Sequence, residues 1–209
     1  AEATPSLQRF LQRGNHFIAL SGPAFSKLMV RRGGRWVNAD DTSFAAPVLE
    51  SISPHYKLYA TRAAALADAG SGRSFPFTGM IMAPLPRSSG FGCSALRKWR
   101  QIPLWYALGP QGESKSIAAE LFLNSEADYA GPVWGYIGLS PADLERMAAE
   151  SVPLLVSMIR RIQRGLFLAN AGTQDFACAS GERMPLGAYV SNLSGKPAEL
   201  SVRFTVTVE

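Results

Sequence analysis

Apolar and polar positions alternate with period two along many short stretches of this chain, and follow a helical period in only a few. The last stretch is the clearest. Leu200, Val202, Phe204, Val206 and Val208 alternate with Ser201, Arg203, Thr205 and Thr207. Strict alternation with β-branched and aromatic residues on one side predicts a strand with those five facing a core, since a one-residue slip would bury Arg203 instead. The loop 192–197 before it makes 187–208 read as a hairpin. Further strands are predicted over 16–20, 27–32 and 35–37, the last two joined by Gly33-Gly34, a two-residue hairpin signal. Others fall at 55–60, 77–82, 133–139, 166–169, 174–178 and 187–193. Residues 98–108 and 116–123 form a hairpin around the turn 109–112, and Pro103 inside the first arm demands an edge or a bulge.

Helical signals are fewer. Leu7, Phe10 and Leu11 share one face of a short turn that Ser6 can cap, with Arg9 and Arg13 off that face. The Ala-rich run 62–69 reads as a short helix ended by Gly70-Ser71-Gly72. Ser140-Pro141-Ala142-Asp143 is the clearest helix start: an N-cap serine, a proline at the first helical position and an acid three residues after the cap. That helix is expected to reach about residue 150 and stop before Pro153. Residues 154–161 fit either a helix or a buried strand.

Eight to ten short strands with one or two short inserted helices predict an all-β fold, a sandwich or a barrel. The chain has 209 residues, enough for one full core. No repeat or composition break divides it, so the expected organisation is an N-terminal arm, 1–13, and a single β domain, 14–209. The hydrophobic share of 47% and charged share of 18% exclude a wholly disordered chain. The longest apolar stretch, around 152–159, contains Pro153 and Ser157 and is far short of a bilayer span, so no membrane partner is expected.

Candidate chemistry is sparse. His16 and His55 are the two histidines, each on a predicted strand. No nucleophile elbow, paired-histidine metal motif or phosphate loop is present, and neither Gly70-Ser71-Gly72 nor Gly90-Phe91-Gly92 opens a long helix after a strand. Asp40-Asp41 and the Glu126/Asp128 pair read as solvated loops. Cys93 and Cys178 are too few for a disulfide framework or a zinc site; they could form one bridge, but two buried, reduced thiols are expected. No cofactor, metal or enzymatic activity is expected.

The net charge of +5 changes the picture because it permits an acidic partner such as RNA. Basic residues interleave with aromatics: Arg31, Arg32 and Arg35 lie beside Trp36, Arg97, Lys98 and Arg100 bracket Trp99, and Arg160, Arg161 and Arg164 follow an apolar run. Such groups grip phosphates and stack on bases, or anchor subunit contacts. Arg9, Arg13, Arg31, Arg32 and Arg35 are the candidate nucleic-acid contacts. Trp36, Trp99, Trp105 and Trp134, expected on loops near Gly, Pro or Arg, are the candidate interface anchors.

Two stretches carry a resemblance to a known family. Ser6-Leu7-Gln8-Arg9-Phe10-Leu11-Gln12-Arg13 is similar to the Ser-Leu-Arg-x-Leu-Leu-Lys-Arg segment that often precedes the first jelly-roll strand in coat proteins of picorna-like viruses, with Gln8 and Gln12 at positions usually basic there. Residues 189–209, an outward strand, the Asn-Leu-Ser-Gly-Lys-Pro loop and the final alternating strand, resemble the closing hairpin of the same subunits. The resemblance covers about 30 residues at the two ends. It implies a jelly-roll β-sandwich released from a polyprotein by proteases that cut after Gln or Glu. It further implies a structural capsid subunit that assembles with like or sister subunits around RNA in a virion. The start at Ala1-Glu2-Ala3 also fits signal-peptide removal or a trimmed initiator Met, and the alternatives are a secreted or periplasmic β-sandwich that binds a partner or glycan, and an RNA-binding subunit of a ribonucleoprotein complex.

Overall fold

The computed structural model describes residues 9–21, 29–38, 59–83, 99–124, 131–173 and 181–205. The protein is mostly β. Its elements in chain order are β1 (Phe17–Leu20), β2 (Met29–Arg32), β3 (Arg35–Asn38), β4 (Tyr59–Asp68), β5 (Ser74–Ala83), β6 (Trp99–Leu108), β7 (Ser114–Asn124), β8 (Val133–Ile137), α1 (Pro141–Arg146), α2 (Ala148–Arg164), β9 (Leu166–Thr173) and β10 (Leu186–Asn192). A six-stranded sheet runs β1-β8-β7-β6-β4-β5, and β9–β10 and β2–β3 form two separate ribbons. Every pairing is antiparallel except β1 with β8, which is parallel.

The local signals explain several elements directly. Gly33 and Gly34 both take positive φ between β2 and β3, as a tight hairpin turn of this hand requires. The β6–β7 hairpin forms as predicted, and its register shifts between Pro103 and Trp105, so the proline sits at a bulge where no ladder N–H is needed. Ser140 caps α1: its Oγ accepts the Asp143 N–H at 3.1 Å, with Pro141 in the first turn.

Three expectations are corrected. The Ala-rich run 62–69 is not a helix but most of β4, because it pairs with β5 on one side and β6 on the other. Ladder hydrogen bonds and burial of Ala63 and Leu66 outweigh alanine's helical preference. The helix expected to stop before Pro153 breaks earlier, at Met147, and then continues through Pro153 to Arg164. Its inner side, Ser151, Leu154 and Met158, is buried, and that packing offsets one missing N–H. Gly165 ends α2 in the left-handed conformation, with Arg161 and Arg164 in the last turn beside the negative end of the helix dipole.

The third correction concerns the C-terminal run. Residues 200–205 form no strand, and Leu200, Val202 and Phe204 are 46%, 40% and 41% exposed. The expected 187–208 hairpin is absent over these residues, since β10 pairs with β9 instead. Alternation states which side of a strand is apolar, but a strand needs a neighbour to bond to. Residues 206–209, the predicted strand 174–178, and residues 55–58 of the strand predicted at 55–60 lie outside the described residues.

The core lies between the sheet and α2 with β9. Leu121, Leu123, Val133, Ile137, Leu154, Met158, Phe167 and Ala169 belong to one buried cluster that extends through Leu66, Phe75, Phe77 and Ile81. Gly135 lets α2 come close: a Cβ there would lie 2.7 Å from Met158 Cε. The strand alternation places Trp134 and Tyr136 on the opposite side from Gly135, together with their cross-strand partners Phe122 and Glu120. These four are also buried, so the centre of the sheet is covered on both faces.

Candidate functional site

The expected basic groups are placed as follows. Arg9 lies in the helical turn described over 9–12, and Arg13 follows it; both are exposed, while Leu11 between them is fully buried. Leu11 docks this segment, while Phe10, on the same predicted apolar face, stays 43% exposed, and Leu7 lies outside the described residues. Arg31 and Arg35 are exposed on the β2–β3 ribbon, where Arg32 pairs with Arg35 and Arg31 with Trp36 in register. The side chains of Arg32, Trp36 and Trp99 lie outside the described residues, as do Arg97, Lys98, His55, Asp40, Asp41, Glu126, Asp128, Cys93 and Cys178.

The two described indoles are not surface anchors. Trp105 is 3% and Trp134 1% exposed, each within a strand of the six-stranded sheet. Trp105 packs against Phe75 with ring centroids 5.0 Å apart, and Trp134 meets Phe17 edge-to-face at 6.3 Å. Proximity to Pro103 and Gly135 suggested loops, but in a sheet those residues mark a bulge and a helix contact. Arg100 departs from expectation too. It is buried, and its guanidinium stacks 4.1 Å from the centre of the Tyr189 ring, joining β6 to β10.

Several polar groups that the sequence did not single out, Glu120, Gln101, Tyr136 and Asp68, sit in the interior or beside a cleft. Glu120 is fully buried on β7 and accepts a hydrogen bond from Gln101 Nε2 on β6. Tyr136, its register partner, donates its hydroxyl to the Met82 carbonyl. Burial pushes the Tyr136 phenol far above its ordinary range, and the neighbouring Glu120 charge pushes the same way. The phenol thus stays a neutral donor that fastens β8 to β5. A lone Glu in an apolar strand, SIAAELFLN, was the available sequence signal.

A cleft of about 550 Å³ lies between α2 and the β4–β5 turn. Asp68 closes that turn: its Oδ1 accepts from Gly70 N–H, Ser71 N–H and Ser71 Oγ at 3.1, 2.7 and 2.8 Å. Partial burial would raise the Asp68 carboxyl, but the Ser71 and Gly70 hydrogen bonds and the Arg161 charge outweigh it and hold it below the ordinary value. Arg73, Glu150 and Arg161 also line the cleft, with Trp105 and Phe75 at its floor. Pro153 has no N–H, so the Ala149 carbonyl on the same wall lacks that intrahelical donor. The lining brings no histidine or cysteine to its serines. Its chemistry is that of polar contact between opposite charges.

Among the described residues no group of three or more His, Cys, Asp or Glu is placed to hold a metal ion, and no helix is long and apolar enough to cross a membrane. No family model, curated protein or solved structure matches this chain.

Proposed function

We propose that this chain is a structural subunit that assembles with like or sister subunits into a virion shell around RNA, with a fold of the jelly-roll type and no catalytic role. The observation that carries this reading is the C-terminal run. Leu200, Val202 and Phe204 keep a strict period of two and yet are exposed in the single chain. Apolar residues patterned in this way are costly to leave in water at roughly 25 cal/mol per Å², and contiguous ones mark contact surfaces. Val152, Val156 and Ile159 on the outer side of α2 are a second group of exposed apolar residues. The outward Arg9 and Arg13 beside a docked Leu11, and the exposed Arg31 and Arg35, supply positive charge for phosphates.

The test is sedimentation of the purified protein over a wide concentration range, with and without RNA. Particles much larger than a dimer, forming at low salt with RNA and weakening steeply as salt rises, are expected. A monomer under all these conditions, with no affinity for RNA, would overturn the reading. The second reading, a secreted or periplasmic binding domain, draws on the cleft between α2 and the β4–β5 turn. It would be favoured by a monomer whose Arg73→Ala and Arg161→Ala variants lose a partner or glycan that the parent binds.

A further inference from the structure

We propose that residues 200–205 add as an edge strand to β10 of a second copy of this chain, so that two copies exchange C-terminal arms. The proposal rests on the assembly reading only for the expectation that copies meet.

The arm has the chemistry of a strand without a sheet. Leu200, Val202 and Phe204 stand on one side, Ser201, Arg203 and Thr205 on the other, and all six are exposed. Pro197 precedes it, where a missing N–H costs no ladder bond. β10 has the chemistry of an acceptor. It pairs with β9 on one side and with no strand on the other among the described residues. Its sequence, LGAYVSN, carries no charge or proline to discourage pairing. One bulge, between Gly187 and Tyr189, leaves the stretch from Tyr189 to Asn192 regular. On the ribbon's outer side Val190 and Leu168 are direct partners, 46% and 49% exposed. An added strand that lays Val202 and Phe204 beside Val190 would extend this small patch into a three-strand apolar face.

The single chain shows why the acceptor belongs to another copy. The arm begins only a few residues after β10, so its own edge is available at high effective concentration. It is not taken. The link between them is instead folded into a turn. Asn192 Oδ1 accepts from Ser194 N–H and Oγ, its Nδ2 donates to the Lys196 carbonyl, and the Leu193 N–H donates to the Gly165 carbonyl at the end of α2. Ser194 packs so closely on Gly165 that a Cβ there would lie 2.6 Å from its nitrogen. The link is thereby held at the α2–β9 corner and the arm leaves unpaired. A second copy supplies the same edge without this constraint, and reciprocal exchange closes a two-fold dimer.

The experiment uses the full chain and two variants of exposed residues, Val202→Asp in the arm and Val190→Lys on the edge. The parent should form dimers in sedimentation equilibrium, with amide exchange at 200–205 slowing as concentration rises. Each variant alone should self-associate at least tenfold more weakly, with an unchanged thermal melt when dilute. Mixing the two should restore a one-to-one dimer, because one chain keeps a native arm and the other a native edge, and the altered pair is oppositely charged. Dimers unaffected by either substitution, or a monomer whose 200–205 amides are already protected when dilute, would overturn the proposal. Large RNA-containing particles that form equally well from both variants would overturn the arm exchange and leave the shell reading standing. Arm-dependent dimers that never grow larger would do the reverse.

Discussion

His16 and Val133 are 117 positions apart, and the imidazole Nδ1 of His16 accepts the Val133 backbone N–H at 3.0 Å. The bond joins the start of β1 to the start of β8, one residue before the parallel register Phe17–Trp134 begins. Accepting at Nδ1 requires the neutral ring with its proton on Nε2. Partial burial acts in the same direction and lowers the His16 pKa below 6.5.

The sign of the pH dependence follows. Below pH 6.5 the unfolded chain takes up a proton at His16 that the folded chain resists, so stability is full above that pH and declines as pH falls toward the lowered folded value. Denaturant titrations at pH 7.5 and 5.5 should show this loss in the parent. His16→Phe, which cannot accept the bond, should cost about 1 kcal/mol at pH 7.5 and reduce the difference between the two pH values. An unchanged pH difference would assign it to other groups.

Gly138 should be the least replaceable glycine of the sheet. Its N–H donates to the Ala118 carbonyl and its carbonyl accepts the Met82 N–H, so it bridges β7 and β5. A Cβ at Gly138 would lie 2.3 Å from the Met82 carbonyl oxygen, which is backbone and also holds the Tyr136 hydroxyl. At Gly135 the nearest obstacle is the flexible Cε of Met158. Gly138→Ala is expected to destabilise by about 3 kcal/mol and Gly135→Ala by about 1 kcal/mol, read from thermal melts.

Phe122 and Phe204 should respond oppositely to truncation. Phe122 is 1% exposed beneath Trp134, whereas Phe204 is 41% exposed. In dilute solution Phe122→Ala should cost about 3–5 kcal/mol and Phe204→Ala less than about 0.5 kcal/mol. A large loss for Phe204→Ala in the dilute monomer would mean that the arm packs on its own chain.

Gln101→Leu tests the buried polar pair. Glu120 is fully buried and takes one of its hydrogen bonds from Gln101. Leucine keeps the volume and removes that donor, so the expected loss is about 1–3 kcal/mol in denaturant unfolding at neutral pH. Restoring the amide elsewhere is no substitute, because the β6–β7 register brings position 101 beside this carboxylate.

The local sequence was sufficient wherever a few adjacent residues decide the outcome. Gly33-Gly34 sets a hairpin because only glycine takes two successive positive φ values without strain, and Ser140-Pro141 starts a helix because cap and first turn are neighbours. The β6–β7 hairpin and the bulge at Pro103 were legible for the same reason. Residues 62–69 and the segment around Pro153 were not, because alanine's preference and proline's missing bond are each worth only a few kcal/mol and neighbouring elements outweigh them.

Of the expected site, the sequence by itself determined charge and pattern: arginines clustered in the arm and at the β2–β3 turn, and an alternating C-terminal run. Only the tertiary structure decided which groups meet. It buried Trp105, Trp134 and Arg100, set Glu120 against Gln101 across a ladder, and opened a cleft between the Asp68 turn and Arg161 on α2. It also left Leu200, Val202 and Phe204 in solvent. The reason is the same in each case. Period and composition define which side of a segment is apolar, whereas burial depends on whether a distant part of the chain, or another copy, supplies the surface that covers it.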